Sequence, residues 1–401
     1  MGHEPQKVPA TYCFYDVLIL RWGCVYLLFT SSRYGQVGKN RDVPTRLNLI
    51  ESIEINTQRW VYMDFSQATE LINSLKNQVA SKIYGQTALI DEVLTTFLSR
   101  GHILLTGAPG LAKTTLVRVI ASALKLDFGR IQYTPDLLPS DITGSELLNV
   151  DADSGKRYFE FSKGPIFTNL LLADEINRAT PRTQSAMLEA MQERKITSAG
   201  QTYELSDPFM VFATQNPFES EGTFPLPEAQ LDRFLIHSLV DYPDKDAELK
   251  MLGEHNLSRL VGEQRSELTS ELNLSSEQIS ELIETASKVA VPEELVEAIA
   301  QFVRLTRPEQ ELPSEFEGAV WYGAGPRAGL SLVSASKAYA LIDGSEVVRW
   351  SHIKRMLAPV VRHRVKLTPV ADRELGGVDK FLESLVGKLE ASVSTQAKGM
   401  D

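Results

Sequence analysis

A glycine-rich segment between an apolar run and an amphipathic run most constrains how this chain folds. The apolar run Ile103–Thr106 precedes the segment, and the helical pattern Leu116–Leu124 follows it. Glycines let successive backbone N–H groups turn toward one anion, and the N-terminus of the next helix adds a favourable dipole. The order therefore predicts a phosphate-binding loop in an α/β fold. The segment consists of Gly107, Ala108, Pro109, Gly110, Leu111, Ala112, Lys113 and Thr114.

Two side chains of this loop have expected contacts. Lys113 is expected to reach the β- and γ-phosphates of a nucleotide, and the Thr114 hydroxyl is expected to bind Mg²⁺. Ala112 stands where the pattern usually has glycine, and alanine is the least disruptive replacement. The alternative interpretation is a tight strand-to-helix turn that carries a surface lysine.

A second apolar run, Leu170–Ala173, ends in the adjacent carboxylates Asp174 and Glu175, downstream of Lys113. At the end of a strand, Asp174 can hold Mg²⁺ while Glu175 polarises an attacking water. Solvated acids that end a strand are the alternative, and they are common for single acids. Two adjacent acids after a phosphate loop favour the nucleotide site.

Two weaker patterns add an amide and an arginine. The apolar run Phe212–Thr214 leads to Asn216, which can hydrogen-bond a γ-phosphate or the attacking water. An Asn-Pro pair is also a routine turn signal. Arg233 lies where a helix runs into a strand and is a candidate finger toward the nucleotide of a neighbouring subunit. Its alternative is a surface pairing with Asp232.

The apolar patterns divide the chain. Short apolar runs alternate with amphipathic helices and predict a parallel sheet covered on both faces. Turn signals at Asp153–Gly155 and Ala199-Gly200 predict two hairpins. From about Ser275 helices replace strands, which indicates a separate small helical domain. The five strand candidates are Ile103–Thr106, Arg130–Tyr133, Asn169–Ala173, Met210–Ala213 and Phe234–Leu239.

Residues 1–62 form an uncertain N-terminal extension. They show no sustained helical or strand period, whereas Ser66 can cap a helix, so we hypothesise that Met63 is the natural start. Ala10–Thr30 is apolar enough to suggest a membrane segment, but Asp16 and Arg21 inside it disfavour that interpretation. A cleavable signal is also a poor fit.

Composition argues against several classes of function. The net charge of −11 over 401 residues disfavours a sequence-independent nucleic-acid coat, which needs a basic face. The two cysteines, Cys13 and Cys24, leave the rest of the chain without a disulfide framework or thiolate metal site. A reducing, cytoplasmic location fits best.

With these residues in view, the chain resembles the MoxR family of AAA+ ATPases over roughly Phe65 to Leu385. The resemblance implies an α/β fold: a P-loop AAA+ core with a parallel five-stranded sheet (αβα), then a small all-α lid domain. We expect the core at 63–245, a linker region at 246–274, the lid at 275–390 and a tail at 391–401. Matching segments include Gly85-Gln86, Gly101–Leu105, Gly107–Thr114, Thr134–Gly144, Gly164–Phe167, Asp174–Ala179, Leu188–Glu193, Ala213–Pro217 and Leu226–Phe234.

The resemblance also implies ATP and Mg²⁺ as cofactors, with ATP bound between core and lid. Gly85, Gln86 and Thr115 are expected to join the phosphate loop in binding the nucleotide. In the lid, Gly323–Ala328 resembles the motif whose arginine, Arg327, contacts the γ-phosphate. The family more often has Ser at position 325 and Glu at position 106, where this chain has glycine and threonine. The expected catalytic residues are Glu175, Asn216, Arg233 and Arg327, and the expected metal ligands are Thr114 and Asp174.

As partners, the resemblance implies a homo-oligomer, commonly a hexamer, a protein with a von Willebrand factor A domain, and a client that ATP hydrolysis remodels, activates or matures. Some members assist metal insertion into enzymes. Contact with a membrane is expected only by association. Two alternatives remain: a nucleotide-gated scaffold without useful turnover, which Glu175 disfavours, and a nucleic-acid motor, which the acidic balance disfavours. Phosphate contacts of such a motor would come from Arg349, Lys354, Arg355, Arg362, Arg364 and Lys366.

Overall fold

A computed structural model describes residues 16–22, 25–31, 63–111, 113–151, 153–198, 200–218, 222–261, 274–308 and 316–397. The chain divides into two compact units, Met1–Trp60 and Val61–Asp401. Among the described residues, no helix has both the length and the apolar character that crossing a bilayer requires.

The first unit contains an antiparallel hairpin of β1 (Asp16–Trp22) and β2 (Val25–Ser31). These residues pair as strands although the sequence shows no sustained strand period before Met63. Both runs are apolar at nearly every position, so they lack the alternation on which the period test depends. The two-residue spacing between them was the available hairpin signal.

The second unit begins with an α/β core. Its elements before the third core strand are α1 (Phe65–Ala80), α2 (Thr87–Leu98), β3 (Ile103–Gly107), α3 (Lys113–Leu124), β4 (Phe128–Gln132), α4 (Pro139–Thr143), β5 (Gly144–Val150) and β6 (Arg157–Lys163). The core continues with β7 (Leu170–Asp174), α5 (Pro181–Glu193), β8 (Lys195–Ser198), β9 (Gln201–Glu204), β10 (Met210–Gln215), α6 (Glu228–Leu231) and β11 (Ile236–Val240).

Helices dominate after the core. The elements are α7 (Lys245–Val261), α8 (Ser276–Lys288), α9 (Glu293–Leu305), β12 (Val320–Tyr322), α10 (Pro326–Ile342), α11 (Trp350–Val361), β13 (Lys366–Leu367), α12 (Pro369–Leu375) and α13 (Val378–Ala397). Helix α7 occupies much of the expected linker region, and α13 extends past the expected lid boundary at 390.

Five parallel strands form the central sheet in the order β11-β3-β10-β7-β4. The strands β3, β7 and β10 are buried almost throughout, as a sheet covered on both faces requires. The predicted five-stranded parallel sheet is confirmed, and no predicted strand end differs from the observed end by more than two residues. Because the strands are parallel, their carboxyl ends lie at one edge, where β3, β7 and β10 lead into the predicted site residues.

The first core helix starts at a different cap from the one predicted. The Asp64 side chain accepts the Phe65 N–H at 2.8 Å, and Gln67 Oε1 accepts the Asp64 N–H at 3.3 Å. Asp64 is therefore the N-cap of α1. The Ser66 hydroxyl instead donates to Asp64 at 2.6 Å, so the predicted Ser66 cap is wrong.

Both predicted hairpins are present and they touch. The pairs β5–β6 and β8–β9 are antiparallel. Phe161 of β6 stacks on Tyr203 of β9 with ring centroids 4.2 Å apart, and Phe167 meets both rings edge-on. This aromatic contact joins the two hairpins.

The lid packs directly on the core. Helix α10 lies against α2, and one continuous hydrophobic cluster runs from the core into the lid helices. The lid also contains a short antiparallel ribbon, β12–β13, which adds two strands to the expected helices. Strands of two and three residues are too short to give a sequence period.

Candidate active site

The phosphate loop connects β3 to α3 as predicted from the sequence. A Cβ at Gly107 would lie 2.5 Å from the Val240 carbonyl oxygen of β11, so the close approach of these strands requires glycine there. Gly110 has φ of +85°, which favours glycine. Ala112 lies outside the described residues.

A cleft of about 310 Å³ opens at the carboxyl edge of the sheet. It brings together residues from three separate parts of the sequence: the phosphate loop with the start of α3, the end of β7, and the end of β10. The lining residues are Pro109, Gly110, Leu111, Lys113, Thr114, Thr115, Asp174, Glu175, Thr214 and Asn216.

Lys113 is the cation of this cleft. Its Nζ donates to the Gly107 carbonyl oxygen at 2.7 Å. Burial lowers the pKa of Lys113, while the charges of Asp174 and Glu175 oppose that shift. The cleft therefore offers an ammonium group and two carboxylates. This combination suits an anionic ligand that binds together with a metal cation.

Two neighbours hold the Asp174 carboxylate. Thr214 Oγ1 donates to Oδ1 at 2.6 Å, and Arg130 Nη2 lies 2.7 Å from Oδ2. The Thr214 hydroxyl also accepts the Glu175 backbone N–H at 2.8 Å. The Asp174 carboxylate and the Thr114 hydroxyl line the same cleft and are the hard oxygen ligands that Mg²⁺ prefers, so these residues fit that ion.

Glu175 is held by its backbone and its side chain. Its φ of +58° lies in the left-handed region, which non-glycine residues seldom adopt and which recurs at functional sites. Glu175 Oε2 accepts from Gln132 Nε2 at 2.8 Å and from Arg178 Nη1 at 3.0 Å. These contacts fix a carboxylate that can orient water.

Asn216 is 8% exposed and belongs to the same cleft. Its Oδ1 accepts the Phe218 backbone N–H at 3.1 Å. With the oxygen engaged, the amide N–H groups are the ones that an anion or a water in the cleft can accept from.

Gly85 and Gln86 lie near this edge without lining the cleft. Gln86 Nε2 donates to the Asp241 carbonyl oxygen at 2.8 Å, directly after β11. The last residue of β11, Val240, pairs with Gly107. Gln86 is therefore connected to the phosphate loop through the end of β11, and Gly85 lies beside Pro243 and Ala247, just after that strand.

Arg233 lies at the opposite edge of the sheet. Leu235, two residues later, donates its N–H to the His102 carbonyl oxygen at 2.8 Å, where β3 begins. A strand rises about 3.3 Å per residue, so roughly 16 Å separate this point from the end of β3. The Arg233 guanidinium donates to the Leu188 carbonyl oxygen at 2.7 Å rather than pairing with Asp232.

Arg327 also lies at the amino edge, beside Arg233. Its Nη1 is 3.3 Å from Asp232 Oδ2. The expectation that ATP lies between the core and lid of one subunit, held by Arg327, is therefore corrected. Helix α10 packs against α2, and the Arg327–Asp232 pair places the start of α10 at the end of the sheet away from the phosphate loop.

Four residues of the site were missed at the sequence level. Thr214 lay inside a recognised segment but has no carboxylate or amide to draw notice. Arg130 and Gln132 follow each other on one face of β4, and Gln132 pairs in register with Asp174. Arg178 reaches Glu175 through a 3₁₀ turn at Ile176–Arg178, which sequence spacing does not reveal.

Two family models match this chain. A family model described as "ATPase family associated with various cellular activities (AAA)" matches residues 102–236, and an AAA lid domain model matches residues 314–383. Chaperone MoxR1 of Mycobacterium tuberculosis is 39% identical over 292 residues, covering 73% of this chain and 74% of that protein.

Two further proteins match over more of their own length. The uncharacterised protein YeaC of Bacillus subtilis is 39% identical over 304 residues, covering 76% of this chain and 89% of that protein. A crystal structure of a candidate ATPase from Cytophaga hutchinsonii superposes with a TM-score of 0.73 at 37% identity, covering 81% of this chain and 96% of that one. Fold, phosphate loop and relatives agree: the chain belongs to the MoxR family of AAA+ ATPases and hydrolyses ATP.

Proposed function

We propose that this ATPase works as a ring of identical subunits, a hexamer, and uses ATP hydrolysis to remodel, activate or mature client proteins. One observation carries the proposal: the cleft and Arg233 occupy opposite edges of one sheet. A cleft completed by an arginine therefore needs a second copy of the chain. The similarity to a relative named as a chaperone supports a protein client.

Within one subunit, the cleft binds and orients the triphosphate. The backbone N–H groups of the loop and Lys113 bind the phosphates. Thr114 and Asp174 hold Mg²⁺, which neutralises phosphate charge when bound. Thr214 and Arg130 keep the Asp174 carboxylate in place for that role.

Glu175 and Asn216 act on the attacking water. The carboxylate of Glu175 accepts a proton or hydrogen bond from the water, and Asn216 aligns it with the γ-phosphate. Gln132 and Arg178 both donate to Glu175 Oε2, so they set the direction of that carboxylate.

The neighbouring subunit supplies positive charge. Arg233 neutralises charge that develops on the transferred phosphoryl group, a role that contributes roughly 10³–10⁵ in rate in other nucleotide hydrolases. Arg327 belongs with it, because the Arg327–Asp232 ion pair sets the two arginines on one edge. Loss of the γ-phosphate releases both arginines and relaxes the subunit interface.

Mixed rings test this arrangement. Lys113→Ala subunits lack ATP binding, and Arg233→Ala subunits lack the finger, so each is expected to be inactive alone. In a mixed ring, the intact cleft of an Arg233→Ala subunit can lie next to the intact Arg233 of a Lys113→Ala subunit. Part of the ATPase activity is then expected to return. If mixing restores no turnover while both proteins assemble, Arg233 does not act between subunits.

A nucleic-acid motor is less well supported. Of the six basic residues expected to contact nucleic-acid phosphates, five form ion pairs with acidic side chains. This reduces the positive charge available to phosphates. The pairs are Lys354–Glu390 at 2.9 Å, Arg355–Glu92 at 3.3 Å, Arg362–Asp379 at 3.0 Å, Arg364–Asp232 at 2.7 Å and Lys366–Glu228 at 2.8 Å. ATP turnover that rises with added DNA or RNA would favour the motor instead.

The remaining expectations form part of the proposal. Residues 63–245 act as the ATPase core and residues 275–390 as the lid, in a cytoplasmic protein. A partner with a von Willebrand factor A domain presents the client, and metal insertion into an enzyme is one outcome of that maturation. Affinity purification of the Glu175→Gln protein, which is expected to hold ATP and its partners, tests this by identifying the captured proteins.

A further inference from the structure

Arg364 is a buried cation between lid and core. It is 3% exposed and lies in a 3₁₀ turn at Arg362–Arg364, between α11 and β13. A buried guanidinium is costly unless its N–H groups are paired, and burial lowers the pKa of Arg364 against the opposing charge of Asp232. The partners that satisfy this group therefore identify its role.

Those partners lie on both sides of Arg233 along the chain. Arg364 Nε donates to Asp232 Oδ1 at 2.7 Å, and Nη2 donates to the Asp232 carbonyl oxygen at 3.2 Å. Nη2 also donates to the Phe234 carbonyl oxygen at 2.7 Å, and Nη1 to that of Leu235 at 3.3 Å. The residue before Arg233 and the two after it are thus bound by one side chain.

The same guanidinium is anchored in the lid. It donates to the Val360 carbonyl oxygen of α11 and, at 3.3 Å, to the Ser331 hydroxyl of α10. Arg233 itself is half-buried and lines a surface cavity of about 270 Å³ beside α5. Its main chain is fixed by the lid, while its guanidinium makes a contact with Leu188 that can be exchanged for another acceptor.

We propose that Arg364 is a positioning residue for Arg233, because it fixes the Asp232–Leu235 main chain to the lid. The lid of each subunit would then determine the position of the Arg233 side chain that acts on the next subunit's nucleotide. This inference rests on the proposed function, because it takes Arg233 to act on a neighbour's nucleotide. Holding a reacting group in its productive geometry is worth orders of magnitude in rate, which can offset the cost of burying a charge here.

A plain tether between lid and core is the competing role. The chain offers a matched control for it. Arg355 of α11 pairs with Glu92 of α2 at 3.3 Å, which also joins lid to core. Among the described residues, this ion pair involves no residue next to Arg233. A tether would make Arg355→Met and Arg364→Met alike.

The experiment places Arg364→Met on one side of a mixed interface at a time. In the donor arrangement, Lys113→Ala/Arg364→Met subunits supply the finger to Arg233→Ala subunits. In the acceptor arrangement, Lys113→Ala subunits supply it to Arg233→Ala/Arg364→Met subunits. We expect recovered turnover to fall at least about tenfold in the donor arrangement and to persist in the acceptor arrangement. ATP affinity is expected to be unchanged in both, and Arg355→Met to have no donor-specific effect.

Each outcome has one meaning. Equal recovery in both arrangements, or equal loss in both, overturns the positioning role while leaving the proposed function standing. No recovery in the parent mixture of Lys113→Ala and Arg233→Ala overturns the proposed function and this inference with it. If the Arg364→Met protein does not assemble, Arg364→Lys is used instead. This variant keeps the positive charge but cannot donate to all the acceptors that the guanidinium reaches, so the same donor-specific loss of turnover is expected.

Discussion

The Thr214 hydroxyl donates a 2.6 Å hydrogen bond to Asp174 Oδ1 across two adjacent strands of the sheet. Thr214 is 1% exposed, and its oxygen also accepts the Glu175 backbone N–H. One hydroxyl therefore sets the positions of two neighbouring carboxylates.

Replacing Thr214 by valine removes this hydroxyl at nearly constant volume. We expect kcat to fall at least about tenfold, because the contact orients groups that act in the transition state. ATP affinity is expected to change less. Thr168→Val is the control: Thr168 is 5% exposed, and its hydroxyl has no hydrogen-bond partner among the described residues. Equal kinetics for the two variants would contradict the role given to Thr214.

Glu175→Gln is expected to separate binding from hydrolysis. The amide keeps the shape of the side chain but cannot accept a proton from water, so turnover is expected to fall about 10²-fold or more while nucleotide still binds. Single-turnover hydrolysis and equilibrium binding of a fluorescent ATP analogue measure the two effects. Wild-type turnover by the variant would remove Glu175 from the chemistry.

The Arg327–Asp232 ion pair is expected to contribute little to stability. Arg327 and Asp232 side chains are 50% and 28% exposed, and such pairs typically contribute about 0.2–1 kcal/mol. Arg327→Ala is therefore expected to change the free energy of unfolding by about 1 kcal/mol or less. Turnover is expected to fall strongly, because Arg327 is proposed to act with Arg233 on the neighbouring nucleotide. A large loss of stability together with normal turnover would show that Arg327 is structural.

Thr106 is explained by its neighbour. Its hydroxyl forms a 2.9 Å hydrogen bond with His237 Nε2 on the adjacent strand β11. Thr106→Val is expected to destabilise the fold by about 1–3 kcal/mol, since it leaves a largely buried ring nitrogen without its partner. Thr95→Val is the control, because the buried Thr95 hydroxyl has no hydrogen-bond partner among the described residues. Denaturant titrations that give equal values would contradict this account.

His102 predicts a loss of stability in acid. Its Nδ1 accepts the Val211 N–H at 3.0 Å and its Nε2 donates to the Met191 carbonyl oxygen at 3.1 Å, a pattern that only the neutral ring can make. Burial lowers the pKa of His102 to about 4 from an ordinary value near 6.5. Between these values the unfolded chain binds more protons, so stability falls as the pH is lowered.

The expected size of this effect is about 2 kcal/mol between pH 6.5 and pH 5 for His102 alone. Denaturant titrations across that range measure it. The His102→Gln variant is expected to be less stable at neutral pH but to show a shallower dependence on pH. A slope identical to that of the wild type would mean that His102 does not titrate in this range.

The sequence predicted those parts of the fold that depend on local pattern. Strand, loop and helix around Lys113, and the carboxylates after β7, are contiguous, so composition and spacing reveal them. Arg327 was different, because its position depends on how α10 packs against α2. Gln132 and Arg178 meet at Glu175 only through strand register and a 3₁₀ turn, and neither leaves a signal in the order of residues.

The opposite placement of the cleft and the two arginines has a consequence for assembly. With the two arginines acting on a neighbour's nucleotide, as proposed, head-to-tail stacking brings one edge of the sheet to the other, and every copy both supplies arginines and receives them. A linear row of copies would always leave one terminal cleft without its arginines. Closing the row on itself removes that idle end, so circular symmetry raises the yield of working sites without any new contact type.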